Sequence, residues 1–210
     1  MTNVLPETTA LTVSGEGVLD LAGGSHTVAS LAGDGLVTNS ATESAELRLT
    51  GAAADAFTGR ILGDVTLTLV GGASIDLGGA TVPAAAVAGT GRVANGTLAV
   101  SEIKPGGMGA AGTLTFERAP ASGATYVFDG FGNAADLVVV EGAFDLSTMA
   151  LRLAPFAISE AKCEILSVEG TRTGDDFSSL TSPYSTWTVI HLGDGSSWLV
   201  NKRGTLLIFR

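Results

Sequence analysis

Short segments of strictly alternating polarity run through almost the whole chain. VLDL (18–21), LRLT (47–50), VTLTLV (65–70), SIDL (74–77), TLAV (97–100), TLTF (113–116) and ALRL (150–153) each place apolar side chains on one side and Thr, Asp, Arg or Ser on the other. A period of two is what a half-buried strand requires. Turns containing Gly, Asn or Ser separate these segments every six to ten residues. The Ala-rich stretches GAAADAF (51–57) and VPAAAVAG (82–89) are the helix candidates; both are too short, and Pro83 and Gly89 bracket the second. The pattern predicts an all-β chain.

Composition narrows what such strands can build. With 45% hydrophobic and only 15% charged residues, the chain stays solvated only if its short apolar side chains point consistently inward. A chain of 210 residues suits one domain, which buries ~70% of its unfolded surface without help from disulfides. Cys163 is the single cysteine, so it forms no intramolecular disulfide; it reads as a small buried apolar residue. The net charge of −10 repels phosphate backbones and acidic lipids, which argues against nucleic acid as a partner. No stretch approaches the ~20 apolar residues of a membrane-spanning helix, so no membrane insertion by this segment is expected. The opening MTNVLPETTALTV has neither a basic n-region nor an apolar h-region and does not read as a signal peptide.

An internal repeat orders the strands. Shifted by 56, residues 15–39 fall on 71–95 without a gap, with identities at Asp20/Asp76, Leu21/Leu77, Gly33/Gly89, Gly35/Gly91, Val37/Val93 and Asn39/Asn95. Apolar positions keep their parity. Such a period suits two or three coils of a solenoid, whose coils stack because none can bury its own apolar face. Glycines then serve the corners, and Asn39 and Asn95 are expected at one corner. An antiparallel sandwich is the competing architecture.

Gly107, Gly109 and Gly112 form a G-x-G-x-x-G, with Asp129 twenty residues beyond Gly109. A dinucleotide loop must open a helix. Here Leu114 and Phe116 alternate with Thr113 and Thr115, and Pro120 and Gly123 follow, so the loop joins strand to strand.

ELRLTGAAADAFTGRILGDVTLTLVGGASIDLGG (46–79) resembles the autotransporter-associated β-strand repeat, and IKPGGMGAAGTLTF is similar to a loop late in autotransporter passengers. The resemblance spans about residues 11–153. It implies a right-handed parallel β-helix, extracellular or on a bacterial cell surface, acting without catalysis as stalk, spacer or adhesin-like segment. Its expected partner is a surface glycan or a ligand on a host or neighbouring cell, and the chain is expected as a monomer or weakly self-associating. A full autotransporter continues into a membrane barrel, whereas this chain ends at GTLLIFR; that suggests an excised passenger fragment, or a protein using such repeats without a barrel. Residues 1–153 are therefore expected to form β-helix repeats and 154–210 an antiparallel, aromatic-rich cap that covers the open end. In that cap Asp194-Gly195 is expected as a two-residue hairpin turn placing His191 opposite Trp198.

Chemistry-bearing residues are few. His26 and His191 are far apart in the chain and lack neighbouring ligands, so no metal or other cofactor is expected. A Ser-His-Asp triad lacks a G-x-S-x-G elbow. Carboxylate pairs of the glycosidase kind have candidates in Asp175 and Asp176 beside Arg172, and in Asp129 with Asp136; Asp129, Asn133 and Asp136 are also calcium candidates without a recognised loop spacing. The alternative to a non-enzymatic module is a carbohydrate-binding or carbohydrate-processing β-helix. Its sugar platform would be Tyr184, Trp187 and Trp198 with Asp175 and Asp176 accepting hydroxyls; Tyr126 and Phe131 are further aromatic candidates.

Overall fold

A computed structural model describes residues 5–158 and 160–202. The chain winds as a parallel β-solenoid of about 7 turns, with antiparallel strands at its C-terminal end. Three faces can be followed from coil to coil. Face one contains Ser25–Val28, Ala45–Leu49, the first part of Val65–Asp76, the first part of Ala86–Ala94, Glu102–Pro105, Thr125–Phe128, Ala150–Leu153 and Ser179–Thr181, each paired in parallel with the next. Face two holds Ala10–Thr12 and Ser30–Ala32, then the second parts of the two long strands, Thr113–Phe116, Leu137–Val140 and Lys162–Val168. Face three is shorter and broken, from Val18–Asp20, Leu36–Thr38 and Arg60–Leu62 to the pair Thr81–Pro83 and Thr97–Ala99 and on to Phe144–Asp145 and Arg172–Thr173.

Alternation makes the core. In the register of face one, Leu47, Leu67, Val87, Ile103, Tyr126 and Leu151 stack in one inward column, and all are buried. Each such aliphatic side chain contributes about 1.5–3 kcal/mol relative to exposure. The column begins at His26, which lies inward with Nε2 3.4 Å from the Leu21 carbonyl oxygen. The Ala-rich stretches are not helical: 51–57 is irregular and Ala86–Gly89 is strand.

The coil length differs from the sequence repeat. The first three strands of face one begin at Ser25, Ala45 and Val65, twenty residues apart, so a shift of 56 lands on a different face. Leu31 lies on face two and its counterpart Val87 on face one. What repeats is a corner. Gly33 and Gly89 both have φ in the left-handed region (+100° and +92°), and a Cβ on either would collide with a carbonyl oxygen of the coil below, that of Val13 or Leu69. The expected shared corner for the asparagines is therefore corrected. Asn39 follows face three, where its side chain accepts from Gly23 N and donates to the carbonyls of Glu43 and Asp64. Asn95 follows face two at φ +50° and donates to Asp76.

Parallel pairing continues beyond residue 153, to Thr181. The change of direction comes where Lys162–Val168 accepts Ser196–Asn201 antiparallel, and Trp187–His191 then pairs with Ser196–Asn201. The hairpin register is one residue off the expectation: His191 stands opposite Ser197, and Ile190 opposite Trp198. The loop is Gly193-Asp194-Gly195, closed by Leu192 N to Ser196 O, with Gly195 at φ +92°. A glycine in that conformation suits a three-residue loop, and one extra loop residue moves every cross-strand pair. Phe209 lies outside the described residues.

Candidate functional site

The glycine loop is an insertion at the corner between faces one and two, linking Glu102–Pro105 to Thr113–Phe116. No helix follows it, as the alternation of 113–116 predicts. Its acid partner is nonetheless real in space. Asp129 Oδ2 accepts from Gly109 N (2.9 Å), Asp136 Oδ1 from Gly112 N (3.1 Å), and Asp136 Oδ2 from Asp129 N (3.0 Å). Both carboxyls are buried, at 2% and 1% exposure. Burial raises both pKa values, that of Asp136 to about 8, with the neighbouring Asp129 charge adding to it. Asp129 Oδ1 is buried without a hydrogen-bond partner. Through the backbone N–H groups they accept, the two acids tie the glycine loop to the next coil. The Tyr126 hydroxyl donates to the Asp136 carbonyl (3.0 Å) and seals the cluster from inside. As calcium ligands these acids are poorly placed, because both already accept backbone N–H groups.

His191 organises a second cluster. Its Nδ1 lies 2.8 Å from Ser197 Oγ and its Nε2 3.1 Å from Asp176 Oδ1. The atoms are those of a Ser-His-Asp triad, but the burial is inverted. A working triad buries its acid and presents its serine; here the Asp176 side chain is 73% exposed and Ser197 is 0% exposed. The relay ties the hairpin to the last coil. Arg172 adds to it by donating to the carbonyls of Ser196 and Leu192 (3.0 and 2.8 Å).

The remaining predicted platform residues do not converge. Trp187 and Tyr184 pack edge-on against Phe156, which in turn meets Phe128, so an aromatic chain runs from the coil interior into the cap. The Tyr184 hydroxyl also accepts from Phe156 N (3.1 Å). Trp198 points to the opposite side of the hairpin from Trp187, because Trp187 shares a face with Leu199 and Ser197. There its indole N–H donates to Ser196 Oγ, and Lys162 Nζ lies 4.8 Å above the ring. Asp175 is exposed. Tyr126 is fully buried, and the side chain of Phe131 lies outside the description. Cys163 is half-buried, and desolvation pushes its thiol up to about 12, well away from a reactive thiolate.

Sequence reasoning missed the outer surface of face one. There the ladder aligns Ser25, Glu46, Thr66, Ala86 and Glu102 in one outward column, and Arg48, Thr68, Ala88 and Lys104 in the next. All of these but Ala86 and Glu102 line a groove of about 650 Å³ bounded on one side by Gly106, Gly107 and Met108 of the glycine loop. Glu46 is its hub: Oε2 accepts from Ser25 Oγ (2.9 Å), and Oε1 from Thr68 Oγ1 (2.6 Å) and Arg48 (2.9 Å). Lys104 and Arg152 both pair with Glu102, which lowers the Glu102 pKa through the Lys104 hydrogen bond first. The signal was present as polar letters in alternating segments, but only coil register gathers them.

Among the described residues no helix is long and apolar enough to cross a membrane. Comparison of the chain with protein-family models, curated proteins and solved structures finds no match. The fold itself thus defines the class: a parallel β-solenoid with an antiparallel C-terminal end.

Proposed function

We propose that this chain is a non-enzymatic module of an exported or cell-surface protein, serving as a stalk or spacer of the kind found in autotransporter passengers. One observation carries the reading: a continuous apolar interior, mostly aliphatic, joins successive coils from Val28 to Val168, so the module is a stiff, self-supporting body whose length grows with coil number. The acidic exterior keeps such a body dispersed. The inverted burial of the His191 relay and the backbone bonds by which Asp129 and Asp136 hold the glycine loop support a structural use of the residues best suited to catalysis.

The address is tested by protease treatment of intact producing cells, followed with an antibody to this segment. Loss of a cell-associated epitope without lysis, or its recovery from the medium, is the expected result. An epitope that is degraded only after lysis overturns the reading.

A further inference from the structure

We infer that the groove over the outer surface of face one binds an extended, uncharged oligosaccharide lying along the solenoid axis. This does not rest on the proposed stalk role or its cellular address, since a solution titration tests the groove alone.

Four features of the groove lead there. It crosses five successive rungs, from Ser25 to Lys104, and rungs repeat every ~4.8 Å, close to the length of one pyranose ring. Its fourth rung is floored by Ala88 and Gly89, so a ring can lie flat against the sheet there. Its polar groups both donate and accept. Thr66 and Thr90 face the groove with hydroxyls that have no partner among the described residues, while Ser25, Arg48 and Thr68 hold the Glu46 carboxylate in place. Preorganised groups of this kind cost little ordering on binding. Finally, the cations are already neutralised, Arg48 by Glu46 and Lys104 by Glu102. That leaves no free positive charge for a uronate, sulfate or phosphate, on a chain that is acidic as a whole. A peptide is a poorer fit. The strand N–H and C=O groups under the groove are used in the coil-to-coil ladder, so no backbone edge is offered for strand addition.

The Trp and Tyr residues of the cap play no part here, so affinity rests on hydroxyl hydrogen bonds and is modest. Specificity lies in the span: short sugars engage one or two rungs, longer chains all five.

The test titrates the whole chain, followed by amide NMR shifts, with linear neutral hexasaccharides of glucose, mannose and galactose. Oligogalacturonate and a polar peptide of similar length run in parallel. Saturable shifts centred on residues 66–68 and 88–90 with a neutral hexasaccharide are expected. They should be insensitive to salt and weaker for the matching disaccharide. Thr66→Trp fills the groove and should weaken binding by about tenfold or more, and Glu46→Gln by severalfold, with unchanged circular dichroism. If Thr66→Trp does not fold, Glu46→Gln and the shift map decide. The inference is overturned by no saturable binding of any neutral hexasaccharide, by shifts located elsewhere, by affinity that Glu46→Gln leaves unchanged, or by binding confined to the oligogalacturonate or the peptide.

Discussion

The coils between Ser25 and Leu153 and the hairpin formed by Trp187–His191 and Ser196–Asn201 are both β structure, yet they are held by different means. In the coils, inward positions are filled mostly by aliphatic side chains at or near zero exposure, stacked in columns from coil to coil. In the hairpin all five residues of the first strand are only half-buried. Its anchors are few: Trp187 on Phe156, the His191 relay, and Arg172 to two carbonyls. The difference teaches that a stack shares its stability over many equivalent contacts, whereas an end piece depends on a handful of particular ones. Loss of one anchor should free the hairpin; loss of one core contact should weaken the entire stack.

The harshest way to break this contrast is at a corner. Gly89→Val places a Cβ against the Leu69 carbonyl oxygen in a left-handed conformation, and is expected to abolish folding of the coils, with loss of the far-UV dichroism of soluble protein. A soluble, folded variant would show that the corner yields. Next in size, Leu67→Ala in mid-stack should cost about 2–5 kcal/mol and move the main urea transition. Trp187→Ala should leave that transition nearly in place while opening the hairpin to protease around 187–201. Matching shifts of the main transition in the two variants would mean that end and stack unfold as one unit.

A smaller effect concerns pH. The Asp136 pKa is raised in the folded state to about 8, so the fold retains a proton that the unfolded chain releases above the ordinary value of 3.8. Stability from this pair is therefore fully present below that value and falls as pH rises towards about 8. The groups facing the two carboxyls are the N–H donors of Gly109, Gly112 and Asp129; the Tyr126 hydroxyl, kept protonated by burial, bonds the Asp136 backbone carbonyl. Thermal melts should show a falling Tm over that range, and Asp136→Asn should flatten the fall; an unchanged slope in Asp136→Asn would remove the pair as its source. The smallest change is expected from Asp176→Asn. Its carboxylate is largely exposed, so losing the link to His191 should cost less than about 1 kcal/mol, visible as faster amide exchange in the hairpin and little else.

Much of the fold was legible. VTLTLV and SIDL announced strands with one dry side; VTLTLV and all of SIDL but Leu77 lie within Val65–Asp76, with Val65, Leu67, Leu69 and Ile75 buried. The strand after the glycine motif was read from Leu114 and Phe116. The candidate site was hardly legible. Asp129 and Asp136 were visible as a pair of acids but not as the buried anchors of a loop twenty residues earlier, because burial and proximity arise between coils. The hairpin register failed by one residue because the loop length decides it, and DG alone does not distinguish two loop residues from three.

The sequence alone determined that the chain is β structure, which side of each strand is dry, and that glycine must stand at the tight corners; these follow from local stereochemistry and from a period of two. Only the tertiary structure decided which strand lies on which. A repeat of 56 residues matched one corner to a different corner, while the first coils closed after about twenty residues and later ones after other lengths, since coil length is set by how three unequal faces meet and by the backbone ladder between them. Those long-range pairings, and no letter of the sequence by itself, bring Glu46, Thr66, Ala88 and Lys104 into one groove and leave Ser197 sealed beneath His191.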